Sequence, residues 1–181
     1  PYTLTPCTLQ AKTLTTNPAP QRILILGNSG SGKTTMARSL QREYGLSHLD
    51  LDSIAWSQPG IRLPLYESQG ALVAFVEAHE QWVIEGSYAS LANAAMSFCN
   101  ELRFLNPGVA ACVINCEQRP WEPEKYASLE EQNERLGFLL DWVRQYETRD
   151  DEYGLGAHRA VYDAFEGSKR MYTDRDEWPA E

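Results

Sequence analysis

The segment of this chain whose residue types and spacing specify a chemistry is Gly27-Asn28-Ser29-Gly30-Ser31-Gly32-Lys33-Thr34, which fits GxxxxGK[ST]. Its glycines let the backbone curl until successive N–H groups face inward on an anion, and a helix starting at its end adds a positive dipole. The implied ligand is a nucleotide, and the motif by itself leaves ATP and GTP open. Lys33 is placed to neutralise the β and γ phosphates, Thr34 to hold Mg²⁺ through its hydroxyl, and Thr35 completes the nucleotide-binding set.

Phosphoryl transfer also needs carboxylates to fix the metal and the acceptor, and mobile cations to cover the developing charge. Asp50 and Asp52 are two residues apart at the end of an apolar run, so both face one side of a strand unless the strand has already ended. Asp50 is expected in the Mg²⁺ shell and Asp52 at the acceptor hydroxyl, as base or orienter. Glu85 ends a second apolar run and competes with Asp50 for the metal. Arg119, in Arg119-Pro120-Trp121, and Arg149 are the candidate cations for the transferring group, and Arg62 for an anionic acceptor. Each has a plainer reading: a cap with Ser53 for the aspartates, a surface ion pair with Asp150 or Asp151 for Arg149, an ordinary loop arginine for Arg62. Trp56, Tyr66, Tyr88 and Trp121 fall in connecting segments, where they either line an acceptor pocket or simply pack.

The elements that must position these residues alternate between short apolar runs and helical periods, the pattern of an α/β sheet protein. Strands are expected over 23–26, 47–51, 82–85, 102–105 and 168–172. Helices are expected over 34–44, 69–80, 88–99, 107–116 and 155–165. Ser128 and Glu131 form a capping box ahead of a further helix whose Leu136, Leu139, Leu140 and Val143 share a face. The Pro-containing stretch 117–127 suits a small lid. Residues 1–21, rich in Thr and Pro and without a period, suit a flexible arm, leaving 22–181 as the folded domain.

A chain of 181 residues with 43% hydrophobic composition is long enough for one buried core. Its net charge of −9 argues against a protein built to grip nucleic acid, which needs a basic field. No apolar run reaches membrane-spanning length and no signal segment stands at the start, so a cytoplasmic enzyme is expected, monomeric or homodimeric. Cys7, Cys99, Cys112 and Cys116 are too sparse for a disulfide framework and lack the partners of a zinc site.

The extra glycine, giving GxxGxGKT, together with the short chain, resembles the small P-loop kinases, adenylate kinase and shikimate kinase among them. Asp50-Leu51-Asp52 is similar to the Asp-x-Asp pair of shikimate kinase-like proteins, and Arg119-Pro120 to their lid. Trp82-Val83-Ile84-Glu85-Gly86 resembles the strand-plus-acid-Gly segment of nucleotide kinases. Residues 48–56 and 82–88 are also similar to bacterial adenylate kinase-like topology modulation proteins. The resemblance implies a three-layer α/β/α P-loop domain whose mostly parallel five-stranded sheet is ordered 2-3-1-4-5. It implies ATP- and Mg²⁺-dependent phosphorylation of a small metabolite. Gly86-Ser87-Tyr88 stands where shikimate kinases carry a glycine run, and no Pro-Arg follows Glu85-Gly86 as in nucleotide kinases, so the acceptor stays open. Two alternatives stay open beside the metabolite kinase: a nucleotide-dependent regulatory ATPase or binding protein, and a toxin-like kinase.

Overall fold

The computed structural model describes residues 21–178 except Pro59 and Glu124; the expected arm lies, but for Gln21, outside the described residues. Strand β1, Arg22–Gly27, runs up the middle of the sheet, and Ile23, Leu24, Ile25 and Leu26 are all fully buried. Their alternation divides the core. Ile23 and Ile25 face one layer with Met36, Ala37 and Leu40, while Leu24 and Leu26 face the other with Leu72, Leu91 and Val161.

Helix α1, Lys33–Tyr44, covers the first face. Strand β2, Ser47–Asp50, is followed at once by the short helix α2, Asp52–Ala55, and by the hairpin β3, Trp56–Gln58, and β4, Ile61–Arg62. Helix α3, Leu65–Ala78, leads to β5, Trp82–Gly86, then α4, Ala89–Ala95, and β6, Glu101–Leu105. Helices α5, Val109–Glu117, and α6, Leu129–Arg144, pack on each other through Cys112, Cys116 and Val143. Helix α7, Leu155–Ala164, and strand β7, Ser168–Tyr172, close the sheet, and a 3₁₀ turn follows over Arg175–Glu177.

The main sheet is ordered β2-β5-β1-β6-β7 and every neighbouring pair is parallel. Numbered among themselves, its five strands run 2-3-1-4-5, as expected; only the separate β3–β4 hairpin shifts the labels. The hairpin escapes sequence reading because its strands of three and two residues are too short to show a period. Helix α4 stops well before Cys99, and α3 begins four residues earlier than expected, with Pro64 as its cap. Among the described residues no helix is long and apolar enough to cross a membrane.

The capping box at α6 forms. Ser128 Oγ accepts from the Glu131 N–H at 3.1 Å, and Glu131 Oε2 accepts from the Ala127 N–H at 2.9 Å. Ser128→Ala is expected to cost about 1 kcal/mol of stability, read as a lower urea midpoint with unchanged slope.

Candidate active site

Parallel strands leave their carboxyl ends on one edge, and β1, β2 and β5 deliver there, in register, the start of the phosphate loop, Asp50 and Glu85. The loop between β1 and α1 takes its shape from Gly30 and Gly32, at φ 77° and 95°, a region that L side chains rarely adopt. Close packing reinforces the requirement: a Cβ on Gly30 would overlap the Cys112 carbonyl and Cys116 sulfur, and one on Gly32 would overlap the Trp178 ring. Asn115 Nδ2 donates to Gly30 O at 2.8 Å, and Asn28 Nδ2 to Val143 O at 3.2 Å. Both bonds hold the loop against the α5–α6 pair.

Lys33 is buried and donates through Nζ to Asn28 O at 2.8 Å. Burial lowers its pKa, and the Glu85, Asp52 and Asp50 charges oppose that fall. Glu85 is 2% exposed, and its Oε1 stands 3.5 Å from His48 Nε2, within ion-pair range but outside hydrogen-bond geometry. Burial pushes its carboxyl up, but His48, Lys33 and Thr34 more than offset this and hold it below the usual range.

Strand β2 ends at Asp50, so Asp52 enters α2 instead of continuing the pleat. The two aspartates nevertheless converge. Asp50 Oδ1 accepts from the Asp52 N–H at 2.9 Å, and Lys125 Nζ lies 3.4 Å from Asp50 Oδ2 and 3.2 Å from Asp52 Oδ2. Burial pushes Asp50 up to about 6, helped by the Asp52 and Glu85 charges. Burial also acts on Asp52, but Lys125 and a 2.6 Å hydrogen bond from Tyr88 outweigh it and leave this carboxyl below its usual value. Trp56 Nε1 donates in turn to the Tyr88 oxygen at 2.6 Å.

These groups line one cleft of about 1700 Å³, larger than a single small-ligand pocket requires. It reaches from Trp178 and Arg175 past the phosphate loop to Asp50, Asp52 and Glu85, and on to Trp56, Tyr88, Trp142 and Tyr153. Arg119 lines it from the segment between α5 and α6, pairing with Glu122 at 3.0 Å. Arg62 and Arg149 are not in the lining. Arg62 donates to Ala55 O at 2.7 Å, lies 3.6 Å from Glu152, and stacks 4.6 Å from the Tyr88 ring centre. Arg149 pairs with Asp151 at 2.7 Å and stacks 3.5 Å from the Trp142 centre, the plainer of its two readings. Of the four aromatics expected at an acceptor pocket, Trp56, Tyr88 and Trp121 line the cleft, whereas Tyr66 projects from α3 into solvent.

Sequence reasoning missed Lys125, Trp142, Tyr153 and Trp178, and also His158, which supports the site from behind. His158 is fully buried; its Nε2 donates to Ser87 O at 3.0 Å and its Nδ1 accepts from Tyr146 at 2.8 Å, an assignment drawn from the bonding pattern. Ser87 Oγ then donates to Gly27 O at 2.8 Å. Burial lowers the His158 pKa to about 4. Below the unperturbed 6.5 the unfolded chain takes up a proton that the folded chain refuses, so stability falls with pH through this window, by about 3 kcal/mol near pH 4. Asp50, raised to about 6, titrates over the same range with the opposite sign in both chains, so His158 is read from the difference between urea titrations of the native chain and His158→Gln, whose pH dependence should diverge steadily below pH 6.5.

The donor set suits Mg²⁺. Thr34, Asp50 and Glu85 offer hard oxygen ligands, and Glu85 Oε1 and Ser31 Oγ are buried with no hydrogen-bond partner. Among the described residues no group of three or more His, Cys, Asp or Glu is placed to hold a metal ion.

No protein-family model matches this chain, and neither does any curated protein. Among solved structures, the chain is similar to a gluconokinase from Sinorhizobium meliloti 1021, at 17% identity and a TM-score of 0.51 over 87% of this chain and 86% of that one. A sugar kinase from Janibacter sp. HTCC2649 aligns at 18% identity and a TM-score of 0.48 over 84% of each chain. A shikimate kinase from Acinetobacter baumannii aligns at 18% and 0.42 over 78% of this chain and 91% of that one. The sheet order, the loop after β1 and the likeness to the gluconokinase together establish the architecture: the chain has the α/β P-loop kinase fold.

Proposed function

We propose that this protein is a phosphotransferase that moves a phosphoryl group from ATP to a hydroxyl of a small metabolite, with Mg²⁺ as cofactor. The observation that carries this reading is the continuity of the cleft, in which a phosphate loop and a buried lysine open directly onto Asp50, Asp52 and Glu85 and then onto an aromatic wall. A nucleotide-binding protein without an acceptor has no use for the second half of that space. The gluconokinase-like fold supports the same reading.

Each group has a task that follows from its surroundings. The loop amides and Lys33 bind the phosphates of the donor; Thr34 with Asp50 and Glu85 would hold the metal, and Mg²⁺ there would supply charge neutralisation. Asp52 faces the cleft ionised at neutral pH, held by Tyr88 and Lys125. Its lowered pKa makes it a weak base, so its contribution is to orient the acceptor hydroxyl, which suits a transition state in which little proton transfer is needed early. Arg119 is within the cleft to cover charge on the transferring group once it leaves Glu122.

The test is a metabolite panel with ATP and Mg²⁺, read by mass spectrometry for a product heavier by one phosphoryl group. At least one acceptor should raise ATP consumption sharply. ATP hydrolysis indifferent to every acceptor would overturn the kinase reading in favour of a regulatory ATPase.

A further inference from the structure

The half of the cleft beyond the phosphate loop differs in charge from what an anionic acceptor needs. Its cations are already committed: Lys125 to Asp50, Asp52 and Glu122, Arg119 to Glu122, and Arg135 to Glu131 at 3.1 Å. Arg62 is turned away behind the wall, held by Ala55 O and Glu152. What does face the space is carboxylate and ring. Asp52 is 48% exposed there, Trp56 is 38% exposed, and Tyr88, Trp142 and Tyr153 continue the wall.

The rings are also held in place. Tyr88 meets Tyr153 edge-on at 5.3 Å between centres, Tyr153 meets Trp142 at 5.2 Å, and Arg62 and Arg149 stack on Tyr88 and Trp142. Trp56 Nε1, the Tyr88 hydroxyl and Asp52 form one hydrogen-bonded chain whose carboxylate end opens to the cleft. Such a wall offers the exposed ring of Trp56, backed by buried Tyr88, beside a strong hydrogen-bond acceptor. An anion seated there would lose its hydration against carboxylates and, among the described residues of this half, would have to draw Lys125 from Asp50 and Asp52 or Arg119 from Glu122 and from the transferring group, a cost that disfavours it.

We propose that the acceptor is an uncharged polyhydroxylated molecule with one apolar face, a carbohydrate-like ring or polyol, seated on the Trp56–Tyr88 wall with a hydroxyl on Asp52. This rests on the kinase reading for the fate of that hydroxyl, but the binding preference stands on the wall alone. It also reassigns Arg62, expected from its position in the chain to hold an anionic acceptor, to bracing the rings.

The experiment uses the full chain with Mg²⁺ and a non-hydrolysable ATP analogue. Saturation-transfer NMR and calorimetry compare neutral aldoses and alditols with the aldonates, hexose phosphates and hexosamines of equal carbon number. At least one neutral probe should bind saturably, at least tenfold tighter than its charged counterparts. Trp56→Ala should weaken it at least tenfold, whereas Trp56→Phe, which keeps a ring face, should retain most of the affinity. Tighter binding of an aldonate, phosphate or hexosamine, or binding of no neutral probe, overturns the proposal. ATP turnover measured alongside separates the two readings. A neutral probe that binds without being phosphorylated upholds the acceptor class and defeats the kinase, and an anion phosphorylated in its place does the reverse.

Discussion

Lys33→Ala is expected to lower kcat/KM by about a thousandfold or more, since it removes the one buried ammonium at the phosphate loop. A thousandfold corresponds to about 4 kcal/mol of transition-state stabilisation. The effect should fall mainly on kcat. In the free chain Lys33 is held by Asn28 O in a site that lowers its pKa by burial, and three nearby carboxylates keep the charged form in place. An incoming phosphate oxygen gives that ammonium a stronger partner than a carbonyl, and the gain is greatest when charge builds up during transfer. Steady-state kinetics together with nucleotide binding by calorimetry would check it. Unchanged turnover would remove Lys33 from the reaction and with it the reading of the loop.

Asp52→Asn is the second large effect, with kcat falling about a hundred- to a thousandfold while binding of the Mg²⁺-nucleotide changes little. The amide keeps the size of the side chain and its contact with Tyr88, but it loses the charge that Lys125 faces and that the acceptor hydroxyl needs. Asp50→Ala gives the contrasting pattern, weakened dependence on Mg²⁺, because Asp50 stands beside Glu85 in the register of β2 and β5. Full turnover in Asp52→Asn with nucleotide binding intact would leave the acceptor to some other group.

The loop and the strand-end position of the two aspartates were legible because each depends on local rules, whereas the sheet order came only with the resemblance to the P-loop kinases. Gly30 and Gly32 announce a backbone that no other residue tolerates, and the run Ile23 to Leu26 can only be a strand buried on both faces. Lys125 was not legible: it lies in an aperiodic segment, and only the fold brings it across to Asp50 and Asp52. Arg62 and Arg149 misled for the converse reason. A charge in a loop looks available until its partner is known, and Glu152 and Asp151 take these two. The helix expected over 88–99 shows the limit of periodicity, since Met96, Phe98 and Cys99 continue to pack on the core past Ala95, where the helix ends.

Two amide side chains moor the phosphate cradle to the α5–α6 lobe, Asn115 from one helix and Asn28 to the carbonyl of Val143 in the other. The span from 118 to 128 is therefore slung between fixed posts. Within it Glu122 stands 3.0 Å from Arg119 and 3.9 Å from Lys125, so one carboxylate links the two cations that face the cleft. Whatever seats in the cradle is thereby in hydrogen-bonded continuity with both helices that carry the segment above it.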